Sequence, residues 1–389
     1  MKGNTNKILV FSTAYYPFVG GAEVAIKEIT DHLYKDFQFD LITARFDKNL
    51  PYVEKVGKVT VYRLGSGKPK LDKLLLPFRG AILAWKLTNK EKYYCLWAVM
   101  VTFGSGAGFI LNICRKLSGK GRIPIVLTLQ EGDSENHLQY KWAGLIALSW
   151  KLALRSTDLL TGISNFLIDR AKKNGYRGNA VLVPNGVDLS IFSQEIKDSV
   201  KKDLLIKLDK KPDDIFLVTA GRLTHKNAID DVVSALVTLP KNVVFIVIGK
   251  GDEGVNLQAQ ARKLGVADRV KFLGFIPYED IPKYFSISDI FIRPSRSEGF
   301  GNSFIEAMAA GLPVIATPVG GIVDFIDDCE TGVFCSPDNP QSISKAVMTL
   351  SGDFNLKSKI IENAKNRVRE RYGWDKIALE MKNVFDRLA

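Results

Sequence analysis

Apolar residues in this chain come in short runs separated by stretches with helical spacing. The first run, Ile8-Leu9-Val10-Phe11, reads as a buried strand. A Pro17…Gly20-Gly21 loop follows, and then Val24, Ala25, Ile29 and Leu33 recur at helical intervals within Ala22–Leu33. Similar runs lie at Phe39–Thr43, Val59–Leu64, Leu96–Thr102, Ile123–Leu129, Leu159–Ile163 and Ala180–Val183. Near-continuous apolar strands alternating with helices are the pattern of a parallel sheet covered on both faces. Pro184-Asn185-Gly186-Val187-Asp188 then concentrates turn formers and reads as a linker. A second series begins beyond it: Ile215–Ala220, Val243–Ile248, Val270–Leu273, Ile290–Ile292, Val314–Thr317 and Gly332–Cys335. Helices are predicted over Ala228–Leu239 and Asn302–Ala310. With no short-period repeat, the prediction is an α/β chain of two similar, doubly wound units rather than a solenoid.

One apolar stretch tests that reading. Cys95 to Cys114 carries no charge and matches the ~20 residues of a bilayer-crossing helix. Gly104-Ser105-Gly106-Ala107-Gly108 interrupts it, so a strand over Leu96–Thr102, a glycine turn and a buried helix are expected instead. The start of the chain, Met1 to Lys7, is polar and lacks a secretory apolar core.

Composition narrows the class. A length of 389 residues suits two domains at roughly 150 residues each. A hydrophobic fraction of 46% with 25% charged residues excludes wholesale disorder. Four cysteines without C-x-x-C spacing and three histidines argue against a disulfide framework or a zinc site, and favour free thiols in a reducing, cytoplasmic compartment.

The net charge of +12 implies an anionic partner, and its distribution says more than its size. Residues 1–190 hold 27 Lys+Arg against 15 Asp+Glu, a net of +12, whereas residues 191–389 hold 27 of each. Within the first half, Lys68, Lys70, Lys73, Arg79, Lys86, Lys90 and Lys92 face only Asp72 and Glu91. They are interleaved with Leu71, Leu74, Leu75, Leu76, Phe78, Ile82, Leu83, Trp85 and Leu87. Lys68–Lys92 could therefore lie against an anionic membrane surface, or be a surface helix with a solvated face. No zinc spacing or aromatic–basic platform points to nucleic acid.

The richest candidate chemistry lies between Ser295 and Ile315. Two glycines, Gly299 and Gly301, flank Phe300 and let a ligand approach the backbone. Asn302 or Ser303 can cap a helix whose free N–H groups point back at that loop. Glu298 falls in the loop and Glu306 in the first turns of the helix, at the C-terminal edge of a parallel sheet where ligands bind. Such carboxylates accept hydrogen bonds from sugar or ribose hydroxyls, although Glu306 could also simply complement the helix dipole. Arg222 and Lys226 stand four apart after a strand, where two cations can converge on an anion or form an ordinary surface pair.

The Glu298-x7-Glu306 pair, within E-G-F-G-N-S-F-I-E-A-M-A-A-G-L-P-V-I-A-T, resembles the signature of retaining glycosyltransferases of family 4. Ala220-Gly221-Arg222-Leu223-Thr224-His225-Lys226-Asn227 is similar to the family's G-R-L-x-x-x-K-G segment, with Asn227 in place of the glycine. Val183–Asp188, Val270–Phe275 and Pro17…Gly20-Gly21-Ala22-Glu23 match further family segments, strongly over 183–335 and weakly over 45–120. The resemblance implies the GT-B fold, two Rossmann-like domains facing across a cleft. The domains would be an acceptor-side unit at 1–185, a donor-side unit at 186–372, and a last helix within 373–389 that returns to the first.

It also implies roles. Arg222, Lys226 and Glu298 would be catalytic, and Glu306 would hold the ribose. Gly299, Phe300, Gly301 and Asn302 would hold the sugar and phosphate through their amides. Gly274 and Phe275 would contact the base, and Gly20 and Gly21 would offer amides to the diphosphate or the acceptor. Gln130 stands where many relatives have histidine, which excludes a titrating role there. Glu23, Gln130, Glu131 and Asp133 remain candidates for acceptor hydroxyls, or members of a polar loop.

The expectation is thus metal-independent, cofactor-free transfer of a hexose from a UDP- or GDP-linked sugar to a glycan or lipid-linked acceptor. The protein would be cytoplasmic or peripheral on the inner face of a membrane. A nucleotide-sugar epimerase or hydrolase of the same fold is the alternative; a nucleic-acid binder would explain the charge but not the glutamates.

Overall fold

The computed structural model describes residues 6–101, 103–132 and 145–388. The chain divides into two compact units, Met1–Asn185 with Trp374–Ala389, and Gly186–Gly373.

The strands of the first unit are β1 (Asn6–Phe11), β2 (Phe37–Ala44), β3 (Val53–Val56), β4 (Val59–Leu64), β5 (Cys95–Val99), β6 (Ile125–Leu129), β7 (Leu159–Gly162) and β8 (Asn179–Leu182). They form one sheet in the order β3-β4-β2-β1-β5-β6-β7-β8, parallel except for the β3–β4 pair. Its helices are α1 (Gly21–Leu33), α2 (Pro69–Lys90), α3 (Phe103–Leu117), α4 (Leu145–Ser156) and α5 (Asn165–Lys173). From β1 the chain builds outward to β2 and β4, then returns to place β5 on the other side of β1. Loops after β1 and β5 therefore diverge and open a crevice at the C-terminal edge.

The second unit repeats this logic with β9 (Ile215–Ala220), β10 (Val243–Ile248), β11 (Val270–Gly274), β12 (Ile290–Arg293), β13 (Val314–Ala316) and β14 (Val333–Phe334). All are parallel, in the order β11-β10-β9-β12-β13-β14, so the switch falls between β9 and β12. Its helices are α6 (Leu189–Phe192), α7 (Asp198–Lys207), α8 (Ile229–Ala235), α9 (Gly254–Lys263), α10 (Ile281–Phe285), α11 (Asn302–Ala309), α12 (Pro340–Gly352) and α13 (Phe354–Arg371).

The last helix, α14 (Trp374–Asp386), belongs to the first unit. Trp374, Ile377, Ala378, Met381, Val384 and Phe385 are buried in the core that also holds Ile8, Val10, Ile26 and Trp97. The Phe385 ring sits 5.5 Å from that of Trp97 and 5.4 Å from that of Phe37.

Five elements depart from the sequence-based expectations. β3 was not expected: Val53-Glu54-Lys55-Val56 is a short edge strand with a half-exposed pattern, and only its pairing with β4 reveals it. The expected strand over Leu96–Thr102 stops at Val99, and Gly104–Gly108 form the first turns of α3, not a turn before it. The reason is close approach: a Cβ on Gly104 would lie 2.5 Å from the Ser12 carbonyl carbon, so only glycine lets α3 rest on that backbone. β6 begins at Ile125 rather than Ile123, because Pro124 has no N–H for the ladder. The helix expected over Ala228–Leu239 is shorter, running from Ile229 to Ala235 after a left-handed Ala228. Among the described residues no helix is long and apolar enough to cross a membrane.

Candidate active site

The loops after β9 and β12, on either side of the switch point, carry Arg222, Lys226 and Glu298. After β9 the chain passes Gly221 and bends through Thr224–Asn227. Arg222 is exposed and Lys226 half-buried. Asn227 is buried, and its Nδ2 donates to the Arg222 carbonyl at 2.6 Å, tying the two ends of the cationic loop together. Asparagine here does with a side chain what a glycine could not.

A residue from the other loop braces the same segment. The Arg296 backbone N–H donates to the Lys226 carbonyl at 2.7 Å, and its Nη1 donates to the His225 carbonyl at 2.8 Å. The guanidinium also pairs with Asp230 at 2.9 Å, Asp231 at 3.0 Å and Asp338 at 2.6 Å. Those carboxylates hold the Arg296 proton well above the usual arginine range.

The β12 loop is built around Arg293, the last residue of that strand and buried. Its Nη2 meets Glu298 Oε2 at 3.0 Å, its Nη1 donates to Ser303 Oγ at 2.7 Å, and its guanidinium lies 4.7 Å from the Phe304 ring centroid. The Glu298 carbonyl accepts from the Gly321 N–H at 3.1 Å, and its Oε1 accepts from the Gly299 N–H at 3.1 Å. Neither Asn302 nor Ser303 caps α11. Gly301 holds that position with φ 103°, a left-handed conformation that disfavours side chains, and Ser303 is taken up by Arg293. The Phe300 side chain packs away from the loop, its ring 5.1 Å from Phe325 and 5.7 Å from Tyr372, so only its backbone is available to a ligand.

Glu306 lies on α11, buried. Burial pushes its carboxyl up to about 7, while the Arg293 charge and a hydrogen bond from Tyr278 pull in the opposite direction. Arg293 thus acts on both glutamates, pairing with Glu298 and biasing Glu306. At the end of β11, the Gly274 carbonyl accepts from the Gly249 N–H at 2.7 Å, and the neighbouring Phe275 is exposed.

The other candidates lie in the first unit. Gly20 is the N-cap of α1, Gly21 its first residue and Glu23 in its first turn. Gln130 follows β6, and its Oε1 accepts from Asn185 Nδ2 at 3.2 Å. Glu131 is buried: Oε1 accepts from the Val101 N–H and Oε2 from the Gln130 N–H, the latter at 3.0 Å. Burial pushes its carboxyl above the usual range and these amides pull it back, so it organises the loop that carries Gln130. Asp133 lies outside the described residues.

Arg293, Arg296 and Tyr278 were not singled out from sequence. An arginine ending the apolar run Ile290-Phe291-Ile292 was the available signal for the first: a buried strand tolerates such a charge only when it is paired. Among the described residues no three His, Cys, Asp or Glu side chains converge as a metal-binding group.

Two family models match the chain, glycosyl transferases group 1 over residues 200–367 and glycosyltransferase family 4 over residues 19–191. An uncharacterized glycosyltransferase of Methanocaldococcus jannaschii is 27% identical, with 97% of each chain covered. Among solved structures, sucrose-phosphate synthase from Thermosynechococcus elongatus superposes with a TM-score of 0.83 at 21% identity, covering 98% of this chain and 99% of that one. Anabaena HepE in complex with UDP-glucose superposes with a TM-score of 0.78 at 21% identity, covering 98% of this chain and 99% of that one. Both share the architecture of two Rossmann-like units.

Proposed function

We propose, for a chain that belongs to glycosyltransferase family 4, that it moves a hexose from a UDP- or GDP-linked sugar to a hydroxyl of a glycan or lipid-linked acceptor, with retention at the anomeric carbon. The observation that carries this reading is the placement of Arg222 and Lys226 after one strand and Glu298 after the next, at the one switch point of the second unit. A leaving nucleoside diphosphate gains negative charge as its bond to the anomeric carbon breaks, and fixed cations stabilise that charge most in the transition state.

In this reading the bond between the anomeric carbon and the β-phosphate oxygen breaks, and the diphosphate leaves with the electron pair. The acceptor oxygen then bonds on the same face, and its proton passes to the departing phosphate oxygen. Arg222 and Lys226 offset the diphosphate charge. Glu298, already oriented by Arg293, accepts from sugar hydroxyls with its remaining lone pairs. The amides of Gly299 to Asn302 hold the sugar and phosphate, Glu306 accepts from the ribose, and Gly274 and Phe275 line the base. No metal or cofactor enters this scheme. The first unit would carry the acceptor, with Gly20, Gly21 and the Gln130 loop at its C-terminal edge. The likeness to a fold that binds UDP-glucose supports a nucleotide-sugar donor.

The test pairs binding with turnover. In a thermal-shift panel of nucleotide sugars, a ligand at 100 times its Kd stabilises by about 2.7 kcal/mol. The stabilising donor is then assayed for transfer, with the anomeric configuration read by NMR. Lys226→Ala and Glu298→Ala should each abolish transfer while the chain stays folded. Full transfer by either variant, or donor turnover that needs no acceptor, would sink the proposal.

A further inference from the structure

Helix α2 presents two unlike faces. Leu76, Gly80, Ala81 and Ala84 are buried, and Gly80 packs so closely on Ala107 of α3 that a Cβ there would lie 2.7 Å from the alanine methyl. On the opposite side Leu71 is 43% exposed, Leu74 49%, Phe78 62% and Ile82 61%. Steps of three and four residues put these four on one stripe. Lys68, Lys70, Lys73, Arg79, Lys86 and Lys90 are exposed around it. The one acid of the helix, Asp72, is buried; it accepts from the backbone N–H groups of Ser66, Gly67 and Lys68 at 2.9, 2.7 and 2.9 Å and pairs with Arg79 Nη1 at 3.6 Å, which leaves the lysines as the unmatched charges. Glu91, just past the helix, is paired with Lys7 at 2.5 Å. The solvent face of α2 is therefore apolar along its midline and cationic at its margins.

We propose that this face docks on an anionic lipid bilayer, with Leu71, Leu74, Phe78 and Ile82 entering the boundary between headgroups and acyl chains. The lysines would contact the headgroups. That boundary is where a solvent-facing apolar stripe and a cationic margin are both satisfied. A nucleic acid would meet the charges but leave the apolar stripe in water. A second copy of the chain would cover the stripe only by bringing like charges together. The proposal reaches beyond the transfer reaction, because docking is read with no donor or acceptor present.

Flotation of the full chain with phosphatidylcholine vesicles, with and without phosphatidylglycerol, is the test. The chain should float with the anionic vesicles only, and less so as salt rises. Phe78→Ser with Ile82→Ser should lower partition at least tenfold. Lys70→Gln, Lys73→Gln and Lys86→Gln should lower it roughly fivefold per charge. Circular dichroism confirms that each variant is folded, the substituted side chains being exposed. No flotation at low salt would overturn the proposal. So would unchanged flotation of the Phe78/Ile82 variant, or a wild-type dimer in sedimentation that the same substitutions dissolve.

Discussion

A carboxyl group buried beside an arginine feels two opposing influences, and at Glu306 the loss of water outweighs the neighbouring charge. Its pKa is pushed up to about 7 from the 4.5 of a free glutamate. Between those values the folded chain holds a proton that the unfolded chain has released. The contribution of Glu306 to stability is therefore fully present below pH 4.5, is lost as pH rises through about 7, and stays absent above it. The shift sets the size of the fall at on the order of 3 kcal/mol at most. Glu306→Gln removes the titration while keeping the shape, so its urea midpoint should lose less than the wild type's between pH 5 and pH 8. Equal losses would show that Glu306 is not the titrating group. Binding should move the other way: if the ionised carboxylate accepts ribose hydroxyls, donor affinity rises through pH 7 in the wild type and is flat in Glu306→Gln. Arg293 is the neighbour that keeps this burial tolerable, and it holds Glu298 at the same time.

At the scale of elements, long apolar runs announced thirteen of the strands because a strand covered on both faces has little choice of residue. β3 escaped because an edge strand exposed on one side needs no such run. The glycines of α3 were misleading for a physical reason. Their composition is that of a turn, but glycine also serves where a helix must touch backbone, and only the fold brings Ser12 to Gly104. That contact makes a prediction contrary to helix propensity. Alanine is favoured over glycine inside helices by up to about 1 kcal/mol. At Gly104 the added methyl would lie 2.5 Å from the Ser12 carbonyl carbon and 2.7 Å from the Thr13 nitrogen, backbone atoms held by the sheet. Gly104→Ala should cost about 1–3 kcal/mol in urea unfolding. Gly352→Ala, at the end of α12 with no atom within 4 Å of its new methyl, should change stability by less than ~0.5 kcal/mol. A stabilised Gly104→Ala variant would show that α3 does not rest on that backbone. The candidate site was legible in the same uneven way. Its glutamates and cations stand in motif spacing, whereas Arg293, Arg296 and Tyr278 act through contacts that only folding creates.

For the whole molecule, the path of the chain matters more than its two sheets taken separately. It leaves the first unit at Asn185, builds the second, and returns at Trp374 to finish the first, with Val187 bridged to Gly373 where it leaves and re-enters. The first core is therefore incomplete until α14 is made. Phe385 is fully buried there against Trp97, Phe37 and Phe39. Phe385→Ala removes that ring from a packed core and should cost about 3–5 kcal/mol. The cost belongs to one unit, so hydrogen exchange should show it selectively: amides of β1, β2 and β5 should lose protection, and those of β9, β10 and β12 should keep it. Loss of protection in both sheets would mean that the chain unfolds as a single cooperative body, and unchanged protection in β1 would mean that α14 does not complete the first core. The same topology bears on the charge. By unit, Met1–Asn185 with Trp374–Ala389 holds 30 Lys+Arg against 17 Asp+Glu, a net of +13, while Gly186–Gly373 holds 24 against 25. A variant that frees α14 should therefore weaken the vesicle docking proposed for α2 while leaving nucleotide-sugar binding in the second unit unchanged.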